Sequence, residues 1–158
     1  MFAIAVDEEE ALRNSRLTAI RLTGLTLRWM ENWRRNVGDY DSAMILLAVV
    51  AITAERLVRG DLEPQLKDIS RTLPEGALAR CSYSSIAAAT GLNRETTRRK
   101  VQDLVKRGYL VRLDDGSIRF TEGYLQRPET ARLVRTQLDS LTRTINDIAR
   151  DGVLRLAS

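Results

Sequence analysis

The chain has no histidine, one cysteine, three prolines and only eight aromatic residues in 158. Without histidine, chemistry near neutral pH loses its usual proton carrier and zinc loses its usual nitrogen ligand. The lone thiol, Cys81, has no second cysteine with which to close an internal disulfide. A nucleophile motif, a P-loop and a dinucleotide glycine fingerprint are all missing, so an enzyme would depend on carboxylates or lysines that show no grouping. Neither catalysis nor a metal or other cofactor is expected. The apolar run from Ala43 to Ile52 has ten residues, against the roughly 20 that span a bilayer. It reads as a buried helix, and no membrane partner is expected. The opening MFAIAVDEEE places acids after a short apolar run with no basic leader, which reads against a secretory signal and for a cytoplasmic protein.

What is present is charge, placed unevenly. The net charge is +4, yet the segment from Arg80 to Phe120 alone holds nine Arg or Lys against four Asp or Glu. Such a concentration favours a polyanion, through phosphate neutralisation and counterion release. The plainer reading is a solvated basic face.

Periodicity predicts a mainly α fold. Glu8 to Val37 reads as one long helix, with Leu12, Ile20, Leu27, Met30 and Trp33 among its apolar positions and Gly24 as its weak point. Asp41 to Arg59 reads as a second helix, capped by Asp41, closed by Gly60 and apolar on nearly every side. Asp61 to Ala79 carries Pro64, Pro74 and Gly76 and reads as a connector with a short helix around Gln65 to Arg71. From Pro128 onward, Ala131, Val134, Leu138, Leu141, Ile145 and Ile148 follow in steps of three and four, a heptad seam. That seam pairs either with the N-terminal helix or with a second subunit, and the homodimer is the expectation carried forward. The domains follow as a helical region 1–60, a module 61–126 and a C-terminal helix 127–158.

Within the module, Ser82 caps a first short helix whose Ile86 and Ala87 point inward, and Gly91 supplies the permissive backbone for a tight turn. Asn93 caps a second helix whose Thr97, Val101 and Leu104 form the buried side and which ends at Gly108. By the same pitch Arg94, Glu95, Arg98, Arg99 and Gln102 face outward near the helix start. Arginine donates two parallel hydrogen bonds to guanine O6 and N7, and glutamate accepts from the cytosine amino group. Arg94, Glu95 and Arg99 are therefore the expected base readers. For Glu95 the competing role is local support, through Arg98, Arg99 or the helix dipole. Arg98, Lys100, Lys106 and Arg107 suit phosphates or solvent, and Thr96 suits either a groove edge or a phosphate. Tyr109 to Thr121 alternates on both arms around the turn signal Asp115-Gly116, a small β-hairpin. A two-residue loop pairs Leu113 with Ile118 and Val111 with Phe120, and sets Arg112 opposite Arg119. A phosphate backbone along that face would relieve the repulsion, as would two side chains splaying into water.

Ser82 to Phe120 resembles the winged helix–turn–helix of bacterial transcription regulators. The stretch GLNRETTRRKVQDLVKRGYL is similar to the recognition segment of the Crp/FNR family, whose RETxxR pattern is met by Arg94, Glu95, Thr96 and Arg99. The resemblance implies base contacts by Arg94, Glu95 and Arg99. Ser82, Thr96, Arg98, Gln102, Arg112 and Arg119 are the residues expected on the DNA backbone or the wing. Thr97 departs from the aliphatic residue usual in that family. The likeness covers about a quarter of the chain, and long terminal helices stand where the β-rich cyclic-nucleotide domain would be, a layout closer to small MarR-type dimers. The expected function is a homodimeric, sequence-specific regulator that binds a roughly palindromic site on double-stranded DNA. A winged-helix module for protein–protein interaction is the alternative. Ala43 to Ile52 with Trp29 and Trp33 reads as core or as the lining of an effector pocket, and no ligand is named.

Overall fold

The computed structural model describes residues 3–60, 63–74 and 76–157. Asp61, the expected start of the connector and of the middle domain, lies outside them. In chain order the elements are β1 (Ala3–Val6), α1 (Glu8–Arg13), α2 (Ser15–Val37), α3 (Tyr40–Arg59), a 3-10 turn (Pro64–Leu66), α4 (Tyr83–Thr90), α5 (Arg94–Lys106), β2 (Leu110–Arg112), β3 (Ile118–Phe120), α6 (Pro128–Arg150) and β4 (Leu154–Ala157). The fold is thus mainly helical, with two small antiparallel ribbons, β1–β4 and β2–β3. Among the described residues no single helix is long and apolar enough to cross a membrane.

Three local expectations are corrected. The long N-terminal helix divides at Asn14, although the amide of Asn14 donates to the Glu10 carbonyl at 2.8 Å and that of Thr18 to the Asn14 carbonyl at 3.0 Å, so the helical ladder nearly continues. The cap of α3 is Asp39 rather than Asp41. The Ser42 amide donates to Asp39 Oδ1 at 2.9 Å and its hydroxyl to Oδ2 at 2.8 Å, because a capping oxygen reaches the amide three residues on. Asp41 falls in the first turn of α3, where its charge favours the helix dipole. Among the described residues of the connector the helical turn is Pro64–Leu66, and no helix reaches Arg71. The Ser70 amide instead donates to the Asp68 carboxylate at 2.9 Å, a local bond that competes with helix formation.

The backbone clusters into two units, residues 33–131 and a terminal unit of 1–32 with 132–158. The sequence boundaries 1–60, 61–126 and 127–158 differ from these, because the apolar surface of α3 packs against α4, α5 and β3. In residues 33–131, Val37, Ile45, Leu46 and Val49 meet Ile86, Val101, Leu104, Leu110 and Ile118 in one continuous core. In the terminal unit, Trp29 Nε1 donates to Ser140 Oγ at 2.8 Å, and Arg21 pairs with Asp147 at 3.1 Å and Asp151 at 2.9 Å. On α6 the buried positions are Ser140, Thr144 and Ile148, whereas Ala131, Val134 and Leu138 of the heptad seam stand exposed. Half of that seam is therefore not covered within the chain.

Candidate nucleic-acid interface

The helix pair α4–α5 is positioned by bonds that its short polar residues make. Ser82 Oγ accepts from the Ser85 amide at 3.1 Å while Ser85 Oγ accepts from the Ser82 amide at 2.9 Å, a reciprocal cap. Gly91 then turns the chain at a φ of 71°, a left-handed conformation that a side chain would strain. Ile86 is fully buried, but Ala87 is only partly so. Asn93 Oδ1 accepts from the Thr96 amide at 2.8 Å and starts α5. Thr97 is buried, and its hydroxyl donates to the Asn93 carbonyl at 3.0 Å, so threonine satisfies its polar atom at a position facing the core.

The outer side of α5 carries Arg94, Glu95, Arg98, Arg99 and Gln102, all exposed, with Thr96 half-buried beside them. Arg98 grips Glu95 through Nε at 3.2 Å and Nη2 at 2.9 Å. This pair holds the Glu95 carboxyl below its ordinary range, chiefly by the hydrogen bond from Arg98. Of the two roles expected for Glu95, local support is the one seen, through Arg98. Among the described residues, Arg94, Arg99 and Gln102 make no hydrogen bond or ion pair.

Two neighbouring cations are spoken for. Lys100, expected at phosphate or solvent, has a side chain only 21% exposed and pairs with Asp39 at 2.8 Å. Burial raises the Asp39 carboxyl, but hydrogen bonds from Lys100 and Ser42 outweigh it and hold the group at about 2. Arg107 donates to the Val37 carbonyl, pairs with Asp103 at 3.2 Å and lies over the Tyr109 ring. Both tie α5 to the chain around the start of α3 and are not available as free phosphate contacts. Sequence reasoning missed Asp39, whose only signal is an acid in a short turn.

The hairpin register differs by one residue from expectation. Arg112 lies opposite Ile118 and Val111 opposite Arg119. The Gly116 amide donates to the Leu113 carbonyl and the Leu113 amide to the Ser117 carbonyl, both at 2.9 Å, and Gly116 has a φ of 80°. Asp114 and Asp115 thus form a turn followed by a left-handed glycine, a three-residue loop rather than a two-residue one. Because side chains alternate along a strand, the extra residue puts Arg112 and Arg119 on opposite faces, and the expected repulsion between them does not arise. Arg112 lies 5.9 Å over the Tyr83 ring. Arg119 makes no hydrogen bond or ion pair among the described residues and borders a groove of about 350 Å³ between 72–74 with 76–80 and 113–126, with Leu73, Leu78, Phe120 and Leu125 in its walls. The expected effector lining is elsewhere and occupied: Ala43, Ile45, Leu46, Ala48 and Val49 are buried core, Trp33 packs on that core, and Trp29 belongs to the terminal unit.

Set beside known proteins, the chain matches no family model, no curated protein and no solved structure.

Proposed function

We propose that residues 82–120 are a winged helix–turn–helix that reads double-stranded DNA, and that the chain is a homodimeric, sequence-specific transcription regulator of bacterial type. The observation that carries this reading is the division of labour on α5. Lys100 and Arg107 are committed to the fold, while Arg94, Arg99 and Gln102 stand exposed on the opposite side with no hydrogen bond or ion pair among the described residues. A helix whose cations served only solubility has no need of that segregation.

The 13 residues of α5 extend about 20 Å, and the major groove, about 12 Å wide, accepts a helix. With its N-terminal half in the groove, Arg94 and Arg99 donate to guanine edges and Glu95 accepts from a cytosine amino group. Glu95 then releases Arg98 to a phosphate. Thr96, Gln102 and the α4 terminus at Ser82 lie along the backbone, the last through amides at the positive end of a helix. Arg119 reaches the backbone from the hairpin, and Arg112, on the other face and over Tyr83, acts mainly as its support. Two copies place their helices in successive major grooves, about 34 Å apart.

Selection of bound fragments from a random duplex pool tests this in one step. The expected product is a pair of inverted half-sites about one helical turn apart. A pool that shows no enriched sequence, even in dilute buffer, overturns the proposal. Affinity for duplex DNA that stays flat as salt rises would favour the protein-interaction alternative, since phosphate contacts impose a steep dependence.

A further inference from the structure

The chain before α4 approaches the hairpin as a third strand would and then leaves it. The Ile118 amide donates to the Cys81 carbonyl at 2.8 Å, but two residues earlier the Ala79 amide donates to the Thr53 carbonyl of α3 at 2.9 Å. The groove of about 350 Å³ lies between the parted segments. Along β3, residues whose main chain bonds β2 alternate with residues whose main chain faces outward. The Leu113 amide donates to the Ser117 carbonyl and the Thr121 amide to the Tyr109 carbonyl, so the main-chain groups of Ile118 and Phe120 face outward. Ile118 finds its acceptor in Cys81, whereas the Phe120 amide has none among the described residues.

Two of the four charged side chains that line the groove are spent on one another. Asp115 accepts from the Ser117 amide at 2.9 Å and hydroxyl at 2.6 Å, and pairs with Arg80 at 3.6 Å. Arg119 and Glu122 make no hydrogen bond or ion pair among the described residues, with each other included. Glu122 is exposed and screened by water, while Arg119 is half-buried in a groove walled by Leu73, Leu78, Phe120 and Leu125. A charge partly withdrawn from water acts more strongly on a neighbour, so the unspent field of this groove favours an anion.

We propose that the groove binds a small organic anion, an apolar body that ends in a carboxylate. The carboxylate accepts from the Arg119 guanidinium and the Phe120 amide, and the body lies against the leucines. The volume is that of a small-molecule site. Charge-assisted bonds select the acid over a neutral or cationic relative of the same shape. Arg119 is also the phosphate contact of the hairpin in the function proposed above. On that reading, a bound anion competes with the duplex for one guanidinium.

The test is amide NMR of the full chain without DNA, titrated with hexanoate, hexanamide and hexylammonium, which share an alkyl chain and differ in charge. Hexanoate is expected to shift the amides of 76–80 and 117–126 with a dissociation constant on the order of 1 mM. The other two should bind at least about tenfold more weakly. Arg119→Gln should remove the advantage of hexanoate over hexanamide while amides away from the groove keep their positions, and Glu122→Gln should bind hexanoate at least as well as the wild type. No shift in those segments at about 10 mM hexanoate, equal binding of the three probes, or tightest binding of hexylammonium overturns the proposal. Hexanoate that binds the groove yet leaves duplex affinity unchanged would sink the phosphate contact of Arg119 and leave the site standing.

Discussion

Residues 33–131 and the terminal unit are both built on helices with apolar stripes, yet they dispose of those stripes in opposite ways. Among the described residues, the first places twelve of the fifteen buried apolar side chains in its own core, while the second buries Leu25, Ile148 and Val153 and leaves others exposed. Where α2 and α6 meet, Trp29 bonds to Ser140 and Arg21 pairs with Asp147. The difference teaches that a regular apolar spacing states how much surface must be covered but not by what.

Substitutions can break or sharpen that contrast. The largest effect is expected in the closed core: Leu104→Ala, at a fully buried position, should lose about 2–5 kcal/mol of unfolding free energy. Leu27→Ala, measured in dilute protein where dimers are absent, should change stability by no more than about 0.5 kcal/mol. Denaturant titration distinguishes the two, and equal losses would erase the contrast. Next comes the reading face. Arg99→Ala should weaken a selected duplex by about 1–3 kcal/mol and relax its base preference, whereas Arg119→Ala should weaken all duplexes alike and lower the salt slope by about one.

A smaller effect is expected from the clamp between α3 and α5. Folding holds the Asp39 carboxyl at about 2, below the ordinary aspartate value of about 3.9. Its contribution is complete above about pH 4 and is lost as pH falls toward 2. The Asp39 side chain is 40% exposed, so screening reduces the contribution to about 1 kcal/mol. Acid unfolding of Asp39→Asn should lack that step, and a profile identical to wild type would show the pair to be idle. Smallest is Gly24→Ala, which should stabilise the dilute monomer by up to about 1 kcal/mol.

Much of α4 and α5 was legible because the signals are local. Ser82, Asn93, Gly91 and the steps Thr97, Val101 and Leu104 each act within four residues, and each sits where pitch and capping chemistry require. The hairpin was legible as a hairpin but not in register, since Asp115-Gly116 serves a two-residue loop and the end of a three-residue loop equally well. Lys100 resembled any other surface lysine because its partner, Asp39, is distant in sequence. The β1–β4 ribbon was invisible for a related reason. Its four-residue strands pair residues about 150 positions apart, and AIAV and LRLA carry no turn between them to announce the pairing.

The central claim is that α5 discriminates between base sequences, and a competition titration tests it most directly. The selected duplex and a scrambled duplex of equal length and composition are compared at physiological salt. The account predicts a preference of about a thousandfold or more for the selected duplex. Equal affinity for the two would contradict it.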